Sequence, residues 1–129
     1  MSEQDVQTLR GAYQDFNSGN VPGVLAILDQ EVEWVEPGGG NAASGTFTGP
    51  EAVGNEVFAL IPQNFDEFTC EPVEVRDEGD RVVASVRFKG RNKSGAELDA
   101  SAEHIWEMEG GKVKRFEHKV DEAWAAGWS

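Results

Sequence analysis

The hydrophobic residues change their spacing once along the chain, and that change sets the expected architecture. Val6, Leu9, Tyr13 and Phe16 recur at intervals of three and four, which places them on one face of an amphipathic helix. Asn17-Ser18-Gly19-Asn20 ends that helix with residues suited to C-caps and turns. Asn20 is placed to cap a second helix, with Pro22 near its first turn and Val24, Leu25, Ile27 and Leu28 turned inward. A short strand from Glu31 to Glu36 follows, with Val32, Trp34 and Glu36 on one face. Pro50 opens a third helix over Glu51 to Leu60, which Pro62 is expected to close. Between strand and helix, the Gly-rich stretch from Pro37 to Gly49 is expected to be the only long irregular segment.

Beyond Pro62 the period falls from 3.6 to 2. Strands are predicted near Phe65–Asp77, Arg81–Arg91, Ala96–Glu109 and Lys112–Val120. Their separators, Glu78-Gly79-Asp80, Asn92-Lys93-Ser94-Gly95 and Gly110-Gly111, carry hairpin chemistry. Helices first and antiparallel strands later make the class α+β, in one domain over residues 1–129, with the helices covering one face of the sheet.

Charge changes the picture by exclusion. The chain has 129 residues, with 24 acidic against 11 basic ones and a formal charge of −13. Nucleic acid and anionic membrane surfaces reward Lys and Arg, so neither is an expected partner. With 39% hydrophobic residues the chain is too apolar for a disordered acidic tail. The single cysteine, Cys70, leaves no internal disulfide and reads as a small strand residue, since reactive thiols need an electropositive setting. No charged-then-apolar leader and no apolar run of about 18 residues is present, so a cytoplasmic setting is expected.

The strand Glu97–Glu109 is the most informative segment for chemistry. Leu98, Ala100, Ala102, His104, Trp106 and Met108 share one face, and Glu97, Asp99, Ser101, Glu103, Ile105, Glu107 and Glu109 the other. His104 is thereby turned inward beside small alanines. In the next strand Phe116, His118 and Val120 share the inward face. Whether the two histidines pair directly or lie diagonally, their Cβ atoms fall roughly 4.5–8 Å apart, close enough to serve one cavity. A lone inward His is more often a satisfied core residue; two together favour a proton-handling role near neutral pH.

Glu36, at a strand end just before Pro37, is the third candidate. A carboxylate against an indole and loop backbone is desolvated and made a stronger base; the plain alternative is a solvated acid among many. Tyr13, the only tyrosine, needs a partner for its hydroxyl if buried. Trp34, Trp106, Phe116 and Val120 are candidates to hold the flat body of a hydrophobic ligand, ordinary core packing being the alternative. Asp121 is better placed to cap a short C-terminal helix than to do chemistry. Gly38-Gly39-Gly40 lacks the surroundings of a phosphate loop. Two histidines without a clustered third ligand do not make a metal site, so neither metal nor cofactor is expected.

Several strings together resemble a known group: Tyr13-Gln-Asp-Phe-Asn-Ser-Gly-Asn, Val32-Glu-Trp-Val-Glu-Pro, Ser44-Gly-Thr-Phe-Thr-Gly-Pro, His104-Ile-Trp and Gly111-Lys-Val-Lys-Arg-Phe-Glu-His-Lys-Val-Asp. Nearly the whole chain, in order, resembles the SnoaL-like, ketosteroid-isomerase-related proteins of the nuclear-transport-factor-2-like superfamily. The resemblance implies a cone-shaped α+β barrel, a curved, mostly antiparallel sheet closed by three helices from the N-terminal half around a pocket, and commonly a homodimer. It also implies that Glu36 matches the catalytic base of the isomerases and His104 their oxyanion hydrogen-bond donor. His118 falls where SnoaL-type polyketide cyclases keep an acid–base aspartate.

The residues and the resemblance together lead to a cofactor-free acid–base enzyme, an isomerase, cyclase or related lyase or hydrolase, acting on a small hydrophobic carbonyl compound. Glu36 would move the proton, and His104 and His118 would stabilise or reprotonate the enolate. A non-catalytic hydrophobic-ligand binder and a dimeric interaction module of the same fold are the alternatives.

Overall fold

The computed structural model describes residues 3–128. Helix α1 (Glu3–Asn17) and the short α2 (Val21–Leu25) lead into strand β1 (Leu28–Pro37) and strand β2 (Ser44–Thr48). Helix α3 (Pro50–Ala52), a π-helical segment (Val53–Phe58) and helix α4 (Leu60–Asn64) follow. Four long strands complete the sheet, β3 (Phe65–Asp77), β4 (Val82–Asn92), β5 (Glu97–Glu109) and β6 (Lys112–Val120), and α5 (Glu122–Gly127) ends the described chain. The six strands form one sheet in the order β2-β1-β6-β5-β4-β3. Only the β1–β6 contact is parallel; the other pairings are antiparallel.

The amphipathic stripe of α1 buries Leu9, Ala12 and Tyr13. Asn17 at its end makes two bonds to the Cys70 backbone, accepting from the N–H at 2.9 Å and donating to the carbonyl at 2.8 Å, which fastens α1 across β3. Asn20 caps α2 as expected, its side chain accepting from the Gly23 N–H. Register breaks fall in β1 between Leu28 and Glu33, twice in β3, and once in β6 at Lys114, opposite Glu107 and Met108. Such bulges bend strands and raise their twist, curling the sheet around α1 and the Pro50–Asn64 helical run. Pro72 is tolerated because β3 is an edge strand.

Two expectations need correction. The stretch from Pro37 to Gly49 is not wholly irregular: Ser44–Thr48 pairs antiparallel with β1 as the opposite edge strand. Its sequence, Ser-Gly-Thr-Phe-Thr, is short and glycine-broken, so its alternation is faint. Nor does Pro62 close the third helix, which runs on to Asn64. The Ala59 N–H bonds to Gly54 O at 3.0 Å, a five-residue reach, and α4 restarts after it. Pro62 therefore sits in a fresh first turn, where a missing N–H costs nothing. The helical cover thus comes in more pieces than three, with α5 added from the C-terminal end.

Burial follows the predicted alternation. Leu98, Ala100, Ala102, His104 and Trp106 of β5 are buried while their odd-numbered neighbours are exposed, with Ile105 between the two. The acids on the outer face are answered within the sheet: Asp99 by Arg87 at 2.6 Å, Glu103 by Arg76 and Glu97 by Arg91 at 3.4 Å, and Glu107 by Arg115 at 3.8 Å. Exposed pairs of this kind contribute about 0–1 kcal/mol each, so they neutralise the face rather than hold the fold. Arg87 draws the Asp99 carboxyl below its ordinary range, chiefly by hydrogen bonding. No helix among the described residues is long and apolar enough to cross a membrane.

Candidate active site

The site is assembled by register. In the antiparallel pair β5–β6, His104 lies directly opposite His118, one rung from Trp106 opposite Phe116. In the parallel pair β1–β6, Trp34 pairs with Phe116, and two residues further along both strands Glu36 comes beside His118. On the other side Ala84 pairs with His104, a small residue that leaves the ring room. The sheet therefore lines up Trp34, Phe116 and Trp106 in one row, and Glu36, His118 and His104 in the next. Trp34 and Phe116 stack with ring centroids 3.9 Å apart, and the two imidazoles meet edge to face at 4.7 Å.

All three polar residues are buried: His104 and His118 are each 5% exposed and Glu36 9%. Groups removed from water to this degree must find partners or carry a penalty of about 1–3 kcal/mol each. Tyr13 reaches from α1 to supply one. The Trp106 Nε1–H donates to the Tyr13 hydroxyl oxygen at 3.0 Å, and the hydroxyl stands 2.7 Å from His104 Nδ1. Indole is only a donor, so the phenolic proton has His104 Nδ1 as its acceptor. Neutral His104 then carries its own proton on Nε2. Burial, helped by the nearby His118, pushes the His104 pKa well below the ordinary histidine value and keeps the ring neutral. Tyr13 itself is driven up by burial and holds its proton.

A second chain of bonds runs on the other side. The Trp34 Nε1–H donates to Glu36 Oε2 at 2.6 Å, and His118 Nδ1 lies 3.0 Å from Glu36 Oε1. A carboxylate only accepts, so Nδ1 of His118 carries the proton and, in the neutral ring, Nε2 presents a lone pair. Both Nε2 atoms are buried with no partner among the described residues. With both rings neutral the two are complementary, one with a free N–H and one with a free lone pair.

These side chains line a cavity on the concave face of the sheet. The centre of a water-sized sphere can reach about 80 Å³ of it; one water needs roughly 10–15 Å³ by the same measure, so several waters or a compact organic molecule fit. Of the expected ligand-holding residues, Tyr13, Trp34, Trp106 and Phe116 line it. Val120 does not: it pairs with Ala102, is half-buried and lies against a separate shallow depression. The share of a face is therefore not a share of the cavity, which ends one rung before Val120.

Several lining residues escaped the sequence reading. Phe88 was legible from the period of β4. Phe58 projects from the π-helical segment and meets Trp34 edge to face at 5.5 Å. Trp124 comes from α5 and Trp128 from its C-cap, and their i, i+4 spacing was the available signal. Asp121 caps that helix as expected, accepting from the Ala123 N–H at 3.0 Å. The three glycines seat it: Gly40 has φ 56°, and a Cβ there would lie 2.8 Å from Trp128 O. The Trp124 indole donates to Gly38 O at 3.1 Å, and the Asn41 N–H to Trp128 O at 3.1 Å. Among the described residues, no three His, Cys, Asp or Glu side chains gather to hold a metal ion.

A curved, unclosed sheet with helices packed on its concave face, around a cavity with buried acid–base groups, is the nuclear-transport-factor-2-like fold. The model of the SnoaL-like domain matches residues 9–116, and the chain belongs to that family. It is similar to an NTF2-like protein of unknown function from Burkholderia pseudomallei K96243, with 29% identity, TM-score 0.85, and 94% of this chain and 92% of that one covered. It is also similar to TerC, crystallised with polyporic acid, at 26% identity, TM-score 0.83 and 92% coverage of both chains. Bal32a, from a soil-derived mobile gene cassette, aligns at 25% identity and TM-score 0.88 over 98% of both chains. A search of curated protein sequences gives no match.

Proposed function

We propose that the cavity is the active site of an enzyme that moves a proton on a small, largely hydrophobic carbonyl compound, using its own side chains. The observation that carries this reading is the pair of buried Nε2 atoms on one rung, without partners among the described residues, the neutral rings offering a donor on His104 and an acceptor on His118. The carbonyl oxygen accepts from His104 Nε2–H. His118 Nε2 takes the proton from the adjacent carbon, the C–H electrons pass into the enolate, and the oxygen gathers charge that the His104 N–H stabilises. Glu36, on His118 Nδ1, holds the ring in this tautomer and balances the imidazolium that forms. The proton then returns to the same carbon, to a conjugated one, or to a leaving group, giving exchange, isomerisation or elimination.

In this mechanism the proton moves at His118, and Glu36 is a positioning residue, since both of its oxygens are already bonded within the protein. The co-crystallisation of TerC with polyporic acid supports a small-molecule ligand in a cavity of this kind. The proposal keeps the cytoplasmic setting, in keeping with one buried free thiol, and the homodimer, which sedimentation would test.

The deciding experiment incubates a panel of aryl and cyclic ketones in D₂O and follows deuterium uptake beside the carbonyl by mass spectrometry. Protein-dependent uptake that falls by about 10²–10⁴ in His118→Ala supports the reading. Saturable ketone binding without uptake would instead make the protein a binder, and uptake unchanged in both His104→Gln and His118→Ala would refute the mechanism.

A further inference from the structure

One buried polar atom at the cavity is not used by that mechanism. Trp128 is 3% exposed, lines the cavity, and its Nε1–H has no acceptor among the described residues. The other three tryptophans each donate: Trp34 to Glu36, Trp106 to Tyr13 and Trp124 to Gly38 O. A buried indole N–H ordinarily finds such a partner. The Trp128 backbone is held in place by the Asn41 N–H on its carbonyl at 3.1 Å. Next to it, the Asn92 side chain donates to Gly127 O at 3.0 Å. The unpaired N–H thus stands on a fixed support.

Its position relative to the histidines gives the ligand a direction. Trp124 stands between, with ring centroids 4.8 Å from His118 and 5.4 Å from Trp128. The space is bounded there by the faces and edges of Phe88, Trp124 and Phe68. The cavity is therefore lined by the two histidines at one place and by Trp128 at another, with flat aromatic wall between.

We infer that Trp128 is a specificity-determining residue, whose Nε1–H binds a second acceptor oxygen remote from the reacting carbonyl. The substrate class is then a compact, flat, unsaturated or aromatic molecule with a second oxygen away from its carbonyl. The inference rests on the proposed function for the orientation of the ligand, but its test reads binding and not turnover.

The probes are 6-methoxy-2-naphthol and 6-ethyl-2-naphthol, which differ at the far end by one oxygen against one methylene. Binding is followed by quenching of their fluorescence. Wild-type protein is expected to prefer the methoxy compound by about two- to twelvefold, the range of one hydrogen bond. The preference should vanish in Trp128→Phe. It should vanish equally when Trp128 is replaced by benzothienylalanine, which exchanges the N–H for sulfur in the same shape and keeps the test valid if the smaller phenylalanine loosens α5. Equal affinity of the two naphthols for wild-type protein, or a preference that survives the sulfur replacement, would overturn the role of Trp128 and leave the proposed function standing. Failure of both naphthols to bind wild-type protein would overturn the aromatic-substrate reading and this inference with it.

Discussion

Tyr13→Phe removes a single oxygen atom and tests the hydrogen-bond logic of the site. That oxygen accepts from the Trp106 indole at 3.0 Å and gives its proton to His104 Nδ1 at 2.7 Å, in a pocket where Tyr13 is 5% exposed. The ring itself stays, stacked on His104 with centroids 5.7 Å apart, so little apolar contact is lost. What changes is that one buried donor and one buried acceptor lose their partner together. At about 1–3 kcal/mol for each orphaned group, with water able to recover part of it from the cavity, the expected loss is about 2–4 kcal/mol. For a domain of this size that lowers the Tm by roughly 8–15 °C. The second consequence is chemical: with no donor at Nδ1, His104 is free to move its proton from Nε2. Thermal unfolding followed by circular dichroism measures the first effect, and the ¹⁵N shifts of the imidazole nitrogens report the second. The reasoning is refuted if wild-type His104 carries its proton on Nδ1, or if the variant loses less than about 0.5 kcal/mol.

Glu36→Gln keeps the shape of the side chain and removes its charge, so the His118 ring loses the group that balances its protonated form. Deuterium uptake is expected to fall by about 10²–10⁴ in rate at saturating ketone, with KM little changed; a variant altered mainly in KM would count against the positioning role. The pH dependence of stability has a definite sign. His104 is held neutral in the fold with its pKa pushed well below the ordinary value, so from about pH 6.5 downward the unfolded chain binds a proton that the folded chain refuses, and stability falls as pH falls. Urea unfolding of wild type and His104→Gln should diverge in slope by up to about 1.4 kcal/mol per pH unit below that point, the variant being the less acid-sensitive. Parallel curves would show that His104 does not carry the acid sensitivity.

The sequence by itself determined more than the class of fold. Period-two alternation in Glu97–Glu109 and Lys112–Val120 fixed which face each histidine takes, because a strand turns successive side chains to opposite sides and one face here is apolar. The same rule put Val32, Trp34 and Glu36 on one side of β1, and Asp121 was recognisable as a cap from its own chemistry. Tertiary structure decided which of those inward residues meet. The parallel pairing of β1 with β6 is a contact between segments 82 residues apart, as in the bond from Glu36 to His118, and no local pattern encodes it. It turned Glu36 from a free base into the partner of His118. The packing of α1 across the sheet gave the Tyr13 hydroxyl its place between Trp106 and His104, and with it the tautomer that makes the two histidines different. The extent of the cavity left Val120 outside it, and the seat that Gly38-Gly39-Gly40 provides for α5 brought Trp124 and Trp128 into it. Side-chain direction is a property of a few neighbouring residues, whereas partnership is decided by where distant segments come to rest.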